Sequence, residues 1–293
     1  MESHVTVLKE VAVEALALKD SSRIVDATLG SGGHAALILS RLGKEGVLIA
    51  LDLDETAIEA ARGSLTGMAN VNLVRENFRN IDRVLKGQKV DGILADLGWR
   101  MEQFSGNGKG FSFRVDEELL MTLGDPKDYP FTARDIVNDW KEEDIANVLK
   151  GYGEERYAKR IAKRIVEVRV KHPIMTTFDL VHIIETSVPS AYQRGRIHAA
   201  TRTFQALRIA VNDELDALRD FIHKAVKALD TKGRLVIITF HSLEDRIVKH
   251  TFKGFMEAGE GTVLTKKPIR ATEEETKENT RSRSAKLRIF EKA

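Results

Sequence analysis

The stretch VDATLGSGGHAALIL, residues 25–39, decides the fold of this chain. An apolar run breaks at a turn with three glycines in four positions, Gly30, Gly32 and Gly33, and then resumes with the spacing of a helix. Open parallel α/β sheets place such a turn at the carboxyl end of a strand, where their ligands bind. Glycines allow positive φ and let a ligand approach the main chain closely. The stretch therefore predicts a ligand site beside a parallel strand.

Apolar, β-branched runs alternate with helical patterns over the first hundred residues. This rhythm predicts a parallel sheet built from right-handed crossover units. From about Trp99 the rhythm stops, and helical patterns without a strand signal follow. The predicted strands are RIVDATL, GVLIALD, VNLVREN and VDGILADLG, then RLVIITF after the helical stretch, and two short ones, TVLTKKP and KLRIFEK, in the tail.

Two domains are expected from this change of pattern. Residues 1–107 and 201–293 would form the sheet domain, and residues 108–200 an inserted, mostly helical domain. After the insertion, a single long amphipathic helix is expected, because apolar residues recur at spacings of three and four. These residues are Phe204, Leu207, Val211, Leu215 and Leu218.

Composition limits the possible functions but does not choose among them. The 293 residues contain no cysteine, which excludes disulfides, thiolate metal sites and a cysteine nucleophile. A reducing cytoplasm fits this absence of cysteine best. The first residues carry acids and lack a long apolar core, so neither a signal peptide nor a membrane span is expected. Lys and Arg number 46 against 44 Asp and Glu, so a polyanion would have to be met by local basic patches.

Asp52 ends the second predicted strand about 20 residues after the glycine turn, where it is placed to accept hydrogen bonds from a ribose diol. A glycine turn with such an acid suits a cofactor that contains adenosine. The turn lacks the third glycine of G-x-G-x-x-G, which disfavours a dinucleotide site. A purely structural turn with an exposed acid stays an alternative.

The fourth strand ends in Asp96, Leu97, Gly98 and Trp99. An acid, two small or apolar residues and an aromatic resemble the D-P-P-Y type of motif in enzymes that methylate exocyclic amines of bases. Such an amine is a poor nucleophile because its lone pair is delocalised into the ring. A carboxylate that holds its hydrogens localises the pair, and an aromatic face holds the base flat. Trp99 as a core residue is the alternative.

Several longer blocks resemble one family over nearly the whole chain, the RsmH family, also called MraW. Its members are S-adenosylmethionine-dependent methyltransferases acting on cytosine N4 of 16S ribosomal RNA. The resemblance implies a Rossmann-like class I sheet interrupted by a helical domain for substrate recognition, a cytidine of the decoding region as substrate, and a homodimer. The blocks are DATLGSGGH, DGILADLG, GKGFSF, GYGEERYAKRIAKRIVE, TRTFQALRIAVNDEL and FHSLEDRIVK.

The strand-end acid with its neighbouring aromatic predicts the catalytic residues, and the resemblance implies cofactor-binding ones. Asp96 and Trp99 would be catalytic, with in-line methyl transfer driven by the proximity of two bound reactants and the proton then collected by Asp96 or water. No metal is expected. His34 and His241 are alternative polar participants, although a lone histidine is usually structural. The expected cofactor-binding residues are Gly30, Gly32, Gly33, His34, Asp52, Phe78, Asp96 and Gln103, and Phe78 on its spacing could equally be a core residue.

Two loops depart from the family pattern. In the first loop, residues 99–104, Gln103 and the preceding Asp96 are kept but the usual serines are missing. In the second loop, residues 118–124, the usual acid and arginine are both missing. Because both partners of a possible pair are missing, no charge is left unpaired, and a structural replacement is expected rather than loss of activity.

RNA contacts are expected from local basic stretches, of which three stand out. They are Lys159, Arg160, Lys163 and Arg164; Arg194, Arg196, His198, Arg202 and Arg208; and Arg281, Arg283, Lys286 and Arg288. The first stretch also bears acids, so an ordinary solvated helix face is the alternative. The residues expected to contact RNA are Lys109, Phe111, Arg114, Arg202, His241, Ser242 and Arg246, the last three at the same sheet edge as Asp96.

Two other classes of function compete with this interpretation. A nicotinamide-dependent oxidoreductase is favoured by the glycine turn, but an obvious catalytic set for hydride transfer is missing from the sequence. A non-catalytic RNA-binding assembly factor with a methyltransferase fold is favoured only by the two altered loops.

Overall fold

The computed structural model describes residues 5–65, 70–98 and 108–293. The chain divides into two compact units: Met1–Arg100 with Leu215–Ala293, and Met101–Glu214. The second unit runs past the expected boundary at residue 200. Its last helix packs so closely on an earlier one that a Cβ on Gly153 would lie 2.5 Å from the backbone oxygen of Arg202.

The first unit is built on a seven-stranded sheet with the order β3-β2-β1-β4-β5-β7-β6. The first five strands in this order pair in parallel, and β7 runs antiparallel to both β5 and β6. The strands are β1 (Arg23–Asp26), β2 (Val47–Asp52), β3 (Val71–Arg75), β4 (Val90–Asp96), β5 (Leu229–Thr239), β6 (Gly261–Val263) and β7 (Lys286–Lys292).

Helices cover both faces of this sheet, and alternate strand residues enter two separate cores. Ile24 and Leu94 belong to one core, whereas Val25 and Ile93 belong to the other. Burial on both faces explains why these strands are continuous apolar runs. The expected α/β, Rossmann-like fold class is confirmed. The helices of this unit are α1 (Lys9–Ala15), α2 (Gly33–Arg41), α3 (Glu55–Ser64), α4 (Ile81–Leu85), α11 (Glu214–Ala228), α12 (Ser242–Glu257) and α13 (Glu273–Glu278).

Apart from one isolated bridge, every secondary-structure element in residues 108–214 is a helix. Two begin with a full capping box, in which Thr132 and Thr176 each exchange hydrogen bonds with an acid three residues on. One isolated antiparallel bridge, between Glu118 and Thr176, ties the loop before them to the helices. The helices are α5 (Ala133–Asp139), α6 (Glu142–Gly153), α7 (Ala158–Arg169), α8 (Thr177–Ser187), α9 (Ser190–Gln193) and α10 (Thr201–Asn212).

The expectation of one long helix after the insertion is wrong. Asp213 takes a left-handed conformation with φ of 50°, which ends α10 and lets α11 begin at Glu214. Asp tolerates this region better than most residues. The apolar periodicity is nevertheless real, since the five residues that carried it are all buried: Phe204, Leu207, Val211, Leu215 and Leu218.

The polar tail folds back onto the first residues of the chain. The Leu8 N–H donates to Glu275 Oε1 at 2.7 Å, and Asn279 Nδ2 donates to the Val5 carbonyl at 2.9 Å. Ile269 pairs with Leu287 of β7, which anchors this segment to the sheet. In the described residues, every helix is too short or too polar to cross a membrane.

Candidate active site at the carboxyl edge of the sheet

Three carboxylates end three neighbouring parallel strands. Asp26, Asp52 and Asp96 are the last residues of β1, β2 and β4. The strand order reverses between β1 and β4, because the chain first builds β2 and β3 on one side and then crosses to the other. Such a switch point is where open α/β sheets bind ligands. The three acids therefore lie at the edge that the fold itself makes into a site.

The glycine turn connects this edge to α2. Gly30 and Gly32 have φ of 53° and 78°, so both need the left-handed region that glycine occupies at little cost. The Gly30 N–H donates to Asp52 Oδ2 at 2.8 Å, and the Asp54 N–H donates to Asp52 Oδ1 at 2.9 Å. The turn thus fixes the orientation of the Asp52 carboxylate. The spacing in the sequence predicts that the turn and Asp52 belong to one site, but it does not predict this hydrogen bond.

Gly33 needs its small size for a different reason. A Cβ at this position would lie 1.8 Å from Thr6 Oγ1 and 2.9 Å from Thr6 Cβ. The N-terminal segment therefore presses directly on the first residue of α2. The sequence does not show this contact, since it explains Gly33 by positive φ and by close approach of a ligand, and Gly33 is not among the residues with positive φ.

His34 and Asp96 face each other across the site. His34 Nδ1 lies 3.9 Å from Asp96 Oδ2, with side chains 5% and 16% exposed. Asp96 is held from two sides, since its N–H donates to Thr28 Oγ1 at 2.6 Å and its Oδ1 accepts from the Gly98 N–H at 3.0 Å. Its carboxylate is thus oriented and still reachable. Trp99 and Gln103 lie outside the described residues, and their expected roles stay predictions.

Asp26 is a site residue that the sequence reasoning missed. It is completely buried, and its Oδ2 has no hydrogen-bond partner in the part of the chain that the structure describes. Burial raises the pKa of Asp26 to about 7; the Thr28 N–H, 3.2 Å from Oδ1, opposes this rise, and the charges of Asp96 and Asp52 add to it. The signal was present, because Asp26 ends β1 just as Asp52 ends β2.

Phe78 starts a short 3-10 helix, Phe78–Asn80, after β3. Its ring meets the buried Phe221 edge to face, with centroids 5.2 Å apart. The ring packs against one of the two cores and remains partly exposed. Phe78 therefore packs against the core, which is the alternative that its spacing left open. Its expected contact with a cofactor stays a prediction.

The loop after β5 brings a second group to the same sheet edge. His241 caps α12, whose Glu244 accepts hydrogen bonds from the N–H groups of Phe240 and His241. Ser242 and Arg246 are exposed. Because β5 pairs in parallel with β4, with Ile238 opposite Asp96, this group follows the neighbouring strand end, as expected.

The third basic stretch does not form one RNA-facing cluster. Arg288 is 4% exposed and donates to Asp245 Oδ1 at 2.6 Å, while Lys286 donates to Asp245 Oδ2 at 3.0 Å. Burial would raise the pKa of Asp245, but these two cations outweigh it and lower the pKa. Half of the expected cluster thus joins β7 to α12 instead of facing solvent.

The candidates in the second unit have different environments. Lys109 Nζ donates to the carbonyls of Leu123 and Gly124, so it braces a loop. Phe111 is 5% exposed, whereas Arg114 is exposed. Arg202 lies beside Tyr192. Their expected contacts with RNA stay predictions, and Arg114 is the most accessible of them.

The altered loop at residues 118–124 is well packed. Leu119, Met121 and Thr122 are fully buried, and Glu118 forms an ion pair with Arg134. The Leu123 N–H donates to Asn212 Oδ1 at 3.1 Å. These contacts fit the expectation of a structural replacement in this loop.

Comparison with known proteins agrees with the sequence blocks. The model of the MraW methylase family matches residues 1–293. A protein of Brevibacillus brevis named "Ribosomal RNA small subunit methyltransferase H" is 44% identical, covering 99% of this chain and 98% of that protein. One of Nostoc sp. with the same name is 47% identical over 99% and 93%. The crystal structure of an rRNA methylase from Streptococcus thermophilus aligns with a TM-score of 0.48 at 13% identity, covering 99% of both chains. Since the family model spans the whole chain, the expected resemblance is confirmed: this chain belongs to the MraW methylase family.

Proposed function

We propose that this chain methylates the exocyclic N4 amine of a cytidine in the decoding region of 16S ribosomal RNA, with S-adenosylmethionine as methyl donor. The observation that carries the proposal is the oriented, reachable carboxylate of Asp96 at a strand-end site, in a chain of the MraW methylase family. The relatives' printed names supply the class of RNA, which is that of the small ribosomal subunit.

The carboxyl edge fits this cofactor by charge and by hydrogen bonding. Two backbone amides orient the Asp52 carboxylate, whose remaining lone pairs would accept hydrogen bonds from ribose hydroxyls. Asp26 Oδ2 is buried and has no hydrogen-bond partner among the described residues, and a cationic group bound nearby would favour its ionised form. When bound, S-adenosylmethionine supplies a methyl group activated on a sulfonium centre.

Asp96 is the group that makes the amine nucleophilic. A carboxylate that accepts hydrogen bonds from the amine hydrogens draws the lone pair out of the ring. The Gly98 N–H orients this carboxylate and Thr28 Oγ1 holds the backbone N–H of Asp96, so little reorganisation is needed when the base arrives. A methylated aminium is a strong acid, and Asp96 or water then takes its proton. Trp99 would hold the base flat against this carboxylate.

The helical second unit is proposed to recognise the RNA around the target base. We further propose a cytoplasmic location, where small ribosomal subunits are found, and a homodimer, which light scattering of the purified chain tests directly. These three statements rest on the family resemblance and not on a contact in the structure.

The decisive experiment compares Asp96→Asn with Asp216→Asn, an exposed acid on α11 paired with Arg219. At saturating labelled S-adenosylmethionine, Asp96→Asn should lower methyl incorporation into 16S RNA by roughly 100-fold or more. Asp216→Asn should leave it unchanged. Mass analysis of digested RNA identifies the methylated nucleoside. Near-normal incorporation by Asp96→Asn, or a methyl group on any atom other than cytidine N4, would refute the proposal. Calorimetric titration with NAD in place of S-adenosylmethionine should show no binding.

A further inference from the structure

An open cleft of about 630 Å³ lies on the second unit, where α6 ends and α7 begins. The chain turns sharply there, because Glu154 ends α6 in a left-handed conformation. We refer to this place as the basic cleft. Its lining consists of four cations, two acids, a tyrosine and an alanine: Lys150, Glu154, Glu155, Arg156, Tyr157, Ala158, Lys159 and Arg160.

The four cations of the basic cleft are exposed and close together in sequence. Among the described residues they take part in no ion pair, whereas Arg164 on the same helix pairs with Glu167 and Arg208 pairs with Glu214. With four cations against two acids in its lining, the basic cleft carries a net positive charge, which suits an anionic partner.

A tyrosine pair lies beside these cations on a rigid support. The rings of Tyr157 and Tyr192 meet edge to face, with centroids 4.9 Å apart, and the Arg156 guanidinium lies 5.5 Å from the centre of the Tyr157 ring. Glu155 is 2% exposed, yet it accepts from the Tyr192 hydroxyl and from the Tyr157 N–H, each at 2.7 Å. A buried acid thus fixes both aromatic residues.

The Tyr192 phenol stays protonated in the ordinary pH range. Burial raises the pKa of Tyr192 to about 12, and its hydrogen bond to Glu155 adds to this rise, whereas Arg202 opposes it. The phenol therefore keeps its proton and continues to donate to Glu155. Tyr157 itself remains half-buried, so part of its ring is accessible.

We propose that the basic cleft is a contact site for single-stranded RNA, with phosphates on Arg156, Lys159 and Lys150 and a base against Tyr157. The RNA is the substrate of the proposed function, on which this assignment rests. Cations beside an accessible aromatic ring are the combination by which proteins hold single strands, because the phosphates bind the cations and an unpaired base stacks on the ring. A duplex offers phosphates but no free base face, and an acidic peptide offers neither a phosphate nor a base.

The test measures binding of a single-stranded 16S-derived oligonucleotide by fluorescence anisotropy at several salt concentrations. The double variant R156S/K159S should weaken binding at least tenfold and make the slope of log K against log salt shallower by about 1.4, since each phosphate contact contributes about 0.7. Tyr157→Leu should weaken binding roughly five- to hundredfold, and Tyr157→Phe should restore most of it. Lys171→Ser, an exposed cation beyond the far end of α7, is the matched control and should change little.

Two readouts separate this assignment from the proposed function. In methylation assays the cleft variants should raise KM for RNA with kcat near the wild-type value, and calorimetry should give an unchanged affinity for S-adenosylmethionine. If the cleft variants fold normally by circular dichroism and bind RNA as the wild type does, the assignment of the basic cleft is overturned and the proposed function is left intact. The assignment would also be overturned if R156S/K159S weakened binding to poly-glutamate as much as binding to RNA while Tyr157→Leu changed neither. A wild-type chain that binds the cofactor but no RNA would instead overturn the proposed function, and the cleft assignment with it.

Discussion

Replacing Asp26 with asparagine should stabilise the protein increasingly as pH rises. The carboxyl is fully buried with a pKa of about 7 against 3.8 in the unfolded chain, so the folded state favours its protonated form. A raised pKa means that the stabilisation is complete below pH 3.8 and is lost as pH rises towards and through 7. An asparagine has nothing to ionise and avoids this loss.

The expected size follows from the two pKa values. Asp26 ionises more readily in the unfolded chain than in the folded one. This difference lowers the free energy of unfolding by about 2 kcal/mol at pH 5 and by about 4 kcal/mol at pH 8, because one pKa unit corresponds to about 1.4 kcal/mol. The free energy of unfolding of Asp26→Asn minus that of the wild type should therefore grow by about 2 to 3 kcal/mol between these pH values. The difference between the two proteins cancels titrations that they share.

Urea unfolding followed by circular dichroism at pH 5 and pH 8 measures this difference. Carbon-13 NMR of the aspartate carboxyl groups checks its cause, since one resonance should titrate near pH 7 and be absent from the variant. A difference that does not change with pH, or a carboxyl that titrates near 4, would refute the reasoning. In the presence of S-adenosylmethionine the same resonance should titrate at lower pH, because a cationic ligand favours the ionised carboxylate.

Two further variants test contacts that hold the site together. Gly33→Ala should weaken S-adenosylmethionine binding at least tenfold by calorimetry, because its Cβ would meet Thr6, and adding Thr6→Gly should recover most of the affinity; no recovery would mean that Thr6 is not the obstacle. Asp245→Ala should lower the free energy of unfolding by about 3 kcal/mol, because it leaves the buried Arg288 without its acid. Adding Arg288→Met should recover part of that loss in urea unfolding, and an equally unstable double variant would contradict this explanation.

The sheet could be predicted from the sequence because burial on both faces leaves a local pattern. Each parallel strand is an apolar run with a turn signal after it, and the crossover rule supplies its direction. The break at Asp213 could not be predicted in this way. Val211 and Leu215 keep the spacing of four residues that a continuous helix would have. A single residue in the left-handed conformation, Asp213, does not change this spacing.

Asp52 was found because its distance from the glycine turn is diagnostic, and Asp96 because a resemblance drew attention to its strand end. Asp26 follows the same rule but was passed over, since a sequence shows that an acid ends a strand and not that the fold removes it from water. The partners of Lys286 and Arg288 were equally hidden. Asp245 lies 41 residues from Lys286 in the chain, and only tertiary structure brings these charges together.

The charge of the strand-end site limits how RNA can be held. Asp26, Asp52 and Asp96 place up to three negative charges at one sheet edge, and the charges of Asp52 and Asp96 raise the cost of ionising Asp26. Such an edge attracts a cationic cofactor and repels phosphates. These three carboxylates can therefore orient a single base but contribute nothing to the affinity for the RNA backbone. That affinity has to come from cations elsewhere on the chain, and Lys286 and Arg288 are already committed to Asp245. The basic cleft supplies exposed cations of this kind, so the electrostatics of the site lead to a division of labour in which different residues bind phosphates and carry out the chemistry.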